Sequence, residues 1–246
     1  MDISLKVKMH PFIEPIKKGL SAVLDLLWPP HCAICYARTD CSPLCDNCFA
    51  EIIHEKGFFC AECGARQTRG VCKHHPNPAY SGFFPAFHFC DVVRELIHML
   101  KYANRSDIGV YFGEIMFQKA FKEGLFENID GLVPIPLHKA RKRDRGYNQS
   151  EVIAQSISRL SGVPVLTKGL SRAKNTESQT KLNHEERQLN VNGAFKIDID
   201  LTGKHFIIVD DVITTGATTR ELAMTIARAG GKVAKAVCIA RPGLDD

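Results

Sequence analysis

Two adjacent aspartates, Asp210 and Asp211, follow an apolar run and precede a short loop of threonine and glycine. The apolar run predicts a buried strand, and helical periodicity begins after the loop. Ionised carboxylates accept hydrogen bonds from vicinal hydroxyls and bind Mg²⁺, whereas a loop that enters a helix offers N–H groups to an anion. The stretch therefore predicts a sugar-phosphate site in which the loop holds the phosphate through Thr214, Thr215, Gly216, Ala217 and Thr218.

A simpler interpretation of the same stretch is an ordinary strand-to-helix turn capped by Thr218 or Thr219. That turn explains the threonines but not two acids at a strand end, where burial without a partner is costly. A phospho-acceptor aspartate would also stand at a strand end, but the rest of such a motif is missing from the sequence. We therefore favour the sugar-phosphate site.

A second predicted strand, at 132–136, runs into a stretch rich in lysine and arginine. Such a stretch is either a solvated charge run, a surface for nucleic acid or a clamp for a pyrophosphate. We favour the clamp because the basic run follows a strand end, as the aspartates do, and parallel sheets bind ligands at that edge. The residues predicted to bind pyrophosphate are Lys139, Arg141, Arg143, Arg145, Gly146, Asn148 and Gln149.

Residues 171–192 are polar and long for a connection inside a compact domain. Such segments often act as lids that close over a ligand and exclude water. The alternative is a solvated, partly helical connection held down by Leu182 and Leu189. The residues that a lid would bring to a phosphorylated ligand are Arg172, Lys174, Thr176, Gln179 and Arg187.

Eight of the ten cysteines lie between Cys32 and Cys72, in paired knuckles that indicate metal binding rather than disulfides. Four ligands around each zinc leave no open position for water, so we expect one or two structural zinc ions. In the sequence, His74 is an alternative to His75, and Cys41 competes for the first site. The predicted metal ligands are Cys32, Cys35, Cys45 and Cys48 in one site, and Cys60, Cys63, Cys72 and His75 in the other.

Three parts of the chain are predicted from these patterns and from its length of 246 residues. Residues 1–30 contain an amphipathic helix that suits packing better than membrane binding, because its polar face is not strongly basic. Residues 31–79 form a zinc-ribbon module, and residues 80–246 form a larger α/β domain. The sequence shows neither a signal-peptide pattern nor a membrane span, so we expect a cytoplasmic protein.

The larger domain alternates predicted strands and helices, which indicates an α/β fold with a mostly parallel sheet flanked by helices. Strands are predicted at 83–89, 132–136, 163–166, 194–197, 206–209 and 233–240, and helices at 92–102, 150–160 and 219–229. The formal net charge of +5 allows an anionic ligand or nucleic acid but does not require either.

The stretch 209–218 is similar to the phosphoribosyl-pyrophosphate-binding motif of type I phosphoribosyltransferases, and the chain from Leu24 onward resembles the ComF family of competence proteins. This resemblance implies a double zinc ribbon followed by a type I phosphoribosyltransferase fold, a ligand bound with magnesium and a role in DNA uptake during natural transformation. His75 departs from the family, which usually has cysteine there. The stretches that carry the resemblance include 29–32, 100–102, 133–136, 145–150, 172–182, 187–190, 194–195 and the aspartate loop.

Two functions are compatible with these residues. A phosphoribosyltransferase would displace pyrophosphate from C1 of the ribose through an oxocarbenium-like state, but neither a general base nor a pocket for a nucleobase is evident in the sequence. The alternative is a catalytically inactive, ligand-sensing adaptor that binds single-stranded DNA or DNA-processing partners, for which basic residues such as Lys56 and Arg66 beside the ribbons are suited. Both functions require phosphoribosyl pyrophosphate or a related ribose phosphate, so the sequence leaves the choice between them open.

Overall fold

The structure is a computed structural model in which residues 29–67, 72, 75, 79–174 and 191–242 are described. The chain divides into two compact units, Met1–Cys45 and Asp46–Asp246. The predicted N-terminal helix lies outside the described residues, as do His74 and three of the predicted lid residues, Thr176, Gln179 and Arg187.

The described part of the first unit, residues 29–45, is built from turns. The backbone N–H of Cys32 donates to the carbonyl of Ala37 at 2.8 Å, and that of Ala33 donates to the carbonyl of Pro43 at 2.9 Å. A short turn of this kind brings the two cysteines of a C-x-x-C knuckle to one side of the backbone.

The second unit combines helices with two β-sheets. Its described elements, in chain order, are α1 (Asp46–Ala50), β1 (Phe58–Phe59), β2 (Arg66–Gln67), β3 (Phe83–His88), α2 (Asp91–Tyr102), α3 (Ser106–Lys122), β4 (Gly131–Pro134), α4 (Lys139–Arg145), α5 (Gln149–Ser161), β5 (Leu170–Arg172), β6 (Phe195–Ile197), β7 (His205–Val212), α6 (Ala217–Arg228) and β8 (Lys232–Arg241).

The main sheet has the strand order β2-β1-β3-β8-β7-β4. Strands β3, β8, β7 and β4 are parallel, whereas β1 pairs antiparallel with both β2 and β3. Strands β5 and β6 form a separate antiparallel pair. The predicted α/β class with a mostly parallel sheet is confirmed, and two short strands of the ribbon region extend the sheet at one edge.

Both faces of the sheet are covered. Strand β7 is buried from Phe206 to Val209, and its side chains alternate between the two faces. Phe206 and Ile208 share a core with Leu222 and Ile226 of α6. Burying one such side chain stabilises the fold by about 1.5 to 3 kcal/mol, so the central strand is held firmly from its first residues.

Three local predictions differ from the structure. The basic run forms a helix, α4, which ends at Gly146 with φ at +78°, because basic residues in succession are good helix formers in a solvated segment. The predicted strand at 163–166 is a single bridge between Leu132 and Val165, since Pro164 has no N–H to donate. Helix α3 has no counterpart in the sequence prediction. No helix within the described ranges is long and apolar enough to cross a membrane.

Helices α3 and α5 approach closely through two glycines of α3. A Cβ built at Gly113 would lie 2.6 Å from the Cβ of Ser156 and 2.9 Å from the carbonyl oxygen of Ile153, both on α5. A Cβ at Gly109 would lie 3.0 Å from Cδ1 of Leu100, 3.0 Å from Cγ1 of Val152 and 3.5 Å from Cβ of Val152, all of them side-chain atoms. The contact at Gly113 therefore tolerates no side chain, whereas the contact at Gly109 has neighbours that can shift.

We expect Gly113→Ala to lower the free energy of unfolding by about 1 to 2 kcal/mol, because overpacking against the α5 backbone outweighs the gain in helix propensity. Gly109→Ala is the matched control on the same helix and should change it by less than about 0.5 kcal/mol. Chemical denaturation followed by circular dichroism measures both. Equal stability of the two variants would contradict the close approach.

Candidate functional site

The aspartate pair lies at the end of β7, which runs between β8 and β4 in the main sheet. The hydroxyl of Ser150 donates to Oδ1 of Asp210 at 3.1 Å, and the N–H of Asp211 donates to the same oxygen at 2.9 Å. The Nζ atom of Lys101 lies 2.9 Å from Oδ2 of Asp211, and both side chains are largely buried. Residues from α2 and α5 thus hold the two carboxyl groups in place.

Burial raises the pKa of Asp210 from 3.8 to about 7, and the neighbouring charge of Asp211 acts in the same direction. Three groups lower the pKa of Asp210 without cancelling this shift: the backbone N–H of Asp211, the positive charge of Lys101 and the hydroxyl of Ser150. A carboxyl group with a raised pKa next to a second carboxylate favours a cation, which would restore the ionised form. The pair therefore has the donor set and the charge that suit Mg²⁺.

The phosphate loop, residues 214–218, follows β7 and leads into α6. Helix α6 begins at Ala217, and Gly216 precedes it with φ at +72°, a left-handed conformation that glycine adopts without strain. The N–H of Ala217 donates to the hydroxyl of Thr215 at 3.4 Å. Helix N–H groups and hydroxyls converge here, so the loop is suited to bind a phosphate.

A pocket of about 480 Å³ connects the aspartate pair and the phosphate loop. The same pocket is also lined by Arg141, Arg145, Gln149 and Arg172. Burial lowers the pKa of the Arg172 guanidinium, and the neighbouring positive charge of Arg141 contributes to the shift. An anion bound near both guanidinium groups would reduce the repulsion between them. The pocket therefore combines two carboxyl groups that favour a cation with arginines that favour an anion.

Several predicted residues lie outside this pocket. Asn148 is buried, caps α5 by accepting from the N–H of Ser150 and donates to the carbonyl of Ile135 at 3.0 Å. Lys174 donates to the carbonyl of Asn192 at 2.6 Å, and Lys139 is not among the lining residues. Arg143 and Gly146 line a second, neighbouring pocket of about 630 Å³, which shares Lys101, Tyr102, Arg141 and Arg145 with the first.

Sequence reasoning assigned no role to several residues that line the pocket. Lys101 and Ser150 contact the aspartate pair directly, and Arg94, His98 and Tyr102 of α2 form one wall. The guanidinium of Arg145 lies over the Tyr102 ring at 5.0 Å. Lys101, Tyr102 and Ser150 lie in stretches that carry the family resemblance, whereas Arg94 and His98 had only their spacing on a predicted helix as a signal, and neither signal tells which side chain reaches the sheet.

Two groups of metal-ligating side chains occur among the described residues, and they match the predicted sets, without Cys41. In each group the ligand atoms lie within 4.8 Å of one another. In the second group, Cys63 Sγ lies 3.8 Å from Cys72 Sγ, and His75 Nδ1 lies 3.8 Å from Cys72 Sγ. Zinc with bonds of about 2.3 Å to sulfur places tetrahedral ligands roughly 3.8 Å apart, so both the donor set and the spacing fit structural zinc. The ligands are Cys32, Cys35, Cys45 and Cys48, and Cys60, Cys63, Cys72 and His75.

Two known protein families match stretches of this chain. Residues 109–244 match the family described as "Phosphoribosyl transferase domain", and residues 23–80 match the one described as "Double zinc ribbon domain". The chain belongs to the phosphoribosyl transferase domain family and carries a double zinc ribbon ahead of that domain.

Among individual proteins, the chain is similar to "DNA utilization protein YhgH" of Salmonella typhimurium, with 27% identity over 80% of this chain and 90% of the relative. It is also similar to "Competence protein F" of Haemophilus influenzae, with 27% identity over 76% of this chain and 85% of the relative. "Competence protein ComFC" of Bacillus subtilis is 26% identical over 71% of this chain and 74% of the relative. The resemblance to ComF proteins seen in the sequence is thereby confirmed.

We expect the purified protein to contain about two zinc ions per chain, because each of the two ligand groups offers a complete tetrahedron. His75→Ala should lower the tightly bound zinc to about one per chain, since three sulfurs alone bind less firmly. Elemental analysis after dialysis against a weak chelator measures both values. Cys41→Ser is the control and should leave the zinc content unchanged, and an equal loss in that variant would contradict the assigned first group.

We expect Asp210→Asn to stabilise the ligand-free protein increasingly as pH rises. The folded-state pKa is raised, so the carboxyl group favours folding at low pH and loses that contribution as pH rises through about 7. The difference in unfolding free energy between variant and parent should grow by about 1.4 kcal/mol between about pH 6 and pH 8.5.

Denaturation at a series of pH values, without magnesium, measures this difference. Asp91→Asn is the matched control for the substitution itself, because the Asp91 side chain is exposed on α2. A flat profile for Asp210→Asn would mean that the pKa of Asp210 is not raised.

Proposed function

We propose that this chain binds phosphoribosyl pyrophosphate together with magnesium in the pocket lined by the phosphate loop, the aspartate pair and the arginine wall, which consists of Arg141, Arg145, Gln149 and Arg172. The observation that carries the proposal is that two carboxyl groups, a helix N-terminus and several arginines line one pocket of about 480 Å³. A ribose 5-phosphate, its hydroxyls and a diphosphate present the matching sequence of groups: anion, hydroxyl pair, anion.

Each part of the ligand has a partner in this arrangement. The phosphate loop, residues 214–218, binds the 5-phosphate, and the aspartate pair binds the ribose hydroxyls or the metal. Magnesium, when bound, neutralises charge on the diphosphate. The diphosphate would be bound by the arginine wall, whose residues line the same pocket. Lys101 and Ser150 keep both aspartates oriented through their contacts with Asp211 and Asp210.

Five of the predicted binding residues do not line the ligand pocket and have indirect roles in this proposal: Lys139, Arg143, Gly146, Asn148 and Lys174. Asn148 starts α5 and so orients Gln149 and Ser150, whereas Arg143 and Gly146 border the second pocket. Lys139 adds to the positive field near the diphosphate. Thr176, Gln179 and Arg187, together with Arg172 and Lys174, are proposed to close over the bound ligand.

We further propose that the chain acts in the handling of DNA during natural transformation, because its relatives carry the names competence protein and DNA utilization protein. Two activities fit that role: transfer of the phosphoribosyl group to an acceptor, or sensing of the ligand by a DNA-binding adaptor. The second pocket favours contact with nucleic acid, because Arg143 and Arg145 lie there next to the exposed ring of Tyr102. Basic side chains beside an aromatic ring suit the backbone and bases of a single strand.

We expect Mg²⁺ and phosphoribosyl pyrophosphate to bind together in isothermal titration. The double variant Asp210→Asn with Asp211→Asn should weaken binding by at least tenfold, since each charged hydrogen bond contributes about 1.5 to 3 kcal/mol. Affinity should fall below about pH 7, because Asp210 must lose its proton to bind. Asp198→Asn, an exposed carboxylate paired with Lys196, is the control and should bind as the parent does.

The same preparations distinguish transfer from sensing. Pyrophosphate release with single-stranded oligonucleotides or nucleobases as acceptors supports transfer, whereas tight binding without release supports sensing. Absence of any binding at millimolar ligand would overturn the proposed function itself.

A further inference from the structure

Residues 60–64, the ribbon knuckle, lie directly behind the phosphate loop. The knuckle begins with Cys60 and includes Cys63, two of the second group of metal ligands. A Cβ built at Gly216 would lie 3.4 Å from the carbonyl oxygen of Ala61 and 3.4 Å from the hydroxyl of Tyr80. The Tyr80 side chain is fully buried. The loop therefore rests on a surface formed by the knuckle and Tyr80.

An arginine of α6 joins the loop to the knuckle. The N–H of Arg220 donates to the carbonyl of Gly216 at 2.8 Å, and its guanidinium turns toward the knuckle. Nη2 lies 2.9 Å from Oε2 of Glu62 and donates to the carbonyl of Ala61 at 3.1 Å, while Nε donates to Oε1 of Glu62 at 3.2 Å. This bidentate ion pair is mostly shielded from water, since 18% of the Arg220 side chain and 27% of the Glu62 side chain are exposed. A bidentate pair fixes the relative orientation of its two side chains.

A second arginine ties the other end of the knuckle to β8. Nη1 of Arg241 donates to the carbonyl of Gly64 at 2.7 Å, and the guanidinium lies over the ring of Phe59 at 4.9 Å. A Cβ at Gly64 would lie 2.4 Å from Arg241, so this contact depends on glycine. Pro242, the next residue, lines the ligand pocket. The knuckle is thus attached to two parts of the pocket wall.

We propose that the ribbon knuckle positions the phosphate loop, with Glu62 and Arg220 as the positioning residues, so that metal bound at the second ribbon site and an anion bound at the loop stabilise each other. Arg220 does not line the pocket and acts through Gly216 and the start of α6. The knuckle has few apolar side chains, so its shape depends on its metal ligands. If bound metal favours the loop conformation that binds the anion, then by linkage the anion favours retention of the metal by the same factor.

The coupling between bound metal and bound anion rests on the proposed function, whereas the positioning of the phosphate loop by the knuckle does not. The test compares the zinc-loaded parent with Glu62→Gln, which keeps the shape of the side chain and removes its charge, and with Arg220→Gln. Arg228→Gln is the matched control, because Arg228 lies on the same helix and pairs with Glu221 rather than with the knuckle. Metal content and circular dichroism first establish that every variant is folded and loaded.

Amide exchange is measured without ligand in residues 213–219. It should be about tenfold faster in Glu62→Gln and Arg220→Gln than in the parent, and unchanged in Arg228→Gln. Equal exchange in all four proteins would overturn the inference, whether or not phosphoribosyl pyrophosphate binds.

Coupling is measured on cadmium-loaded protein, in which the signal of the site with three sulfurs and one nitrogen is distinct in cadmium NMR. Phosphoribosyl pyrophosphate with Mg²⁺ should slow the loss of that signal to a chelator by about fivefold or more in the parent, and by less than about twofold in Glu62→Gln. An equal effect in both proteins would contradict coupling through Glu62. Lack of ligand binding by the parent would overturn the proposed function, and the exchange measurement would still decide the role of the knuckle.

Discussion

The arrangement of the site depends on one constraint, the placement of two carboxyl groups at the buried end of the central strand β7. Carboxylates are costly to bury, and here the cost appears in the raised pKa of Asp210. Lys101 of α2 and Ser150 of α5 offset part of it by direct contact. The helices around the sheet thus cover apolar residues near the start of β7 and supply polar partners at its end. A bound cation and a polyhydroxylated ligand would offset the rest of the cost of burying the two carboxyl groups.

The same strand organises the two ends of the pocket. It leads directly into the phosphate loop. Its parallel neighbour β4 leads toward α4, which carries Arg141 and Arg145 of the arginine wall, and then α5, which carries Gln149. Ligands of parallel sheets bind beyond the carboxyl ends of the strands because adjacent loops diverge there and leave a crevice. In this chain carboxyl groups and basic groups line the same crevice, a combination suited to a metal-bound diphosphate ester of a sugar.

Within the second unit, the ribbon residues 58–64 contact the α/β domain through both backbone and side-chain atoms. Strands β1 and β2 extend the main sheet through the pair Phe59 and Phe83, and the knuckle at 60–64 touches the start of α6. A module with few aliphatic residues would have little stability of its own, so metal ligands and the edge of a larger sheet both contribute to its structure. The proposed coupling between metal and anion follows from this shared construction.

The α/β class, the aspartate-threonine loop and the cysteine pairs of both groups of metal ligands are predictable from the sequence, because these features depend on local spacing and on short-range periodicity, whereas the omission of Cys41 from the first group is seen only in the structure. The roles of Lys101, Ser150, Arg220 and Glu62 were decided by the tertiary structure alone, because each contacts a residue far away in the chain. For the same reason, only the fold separated Arg141 and Arg145, which face the pocket, from Lys139, which does not line it. A charged side chain several bonds long is directed by what packs around it, and residue type and spacing do not encode that direction.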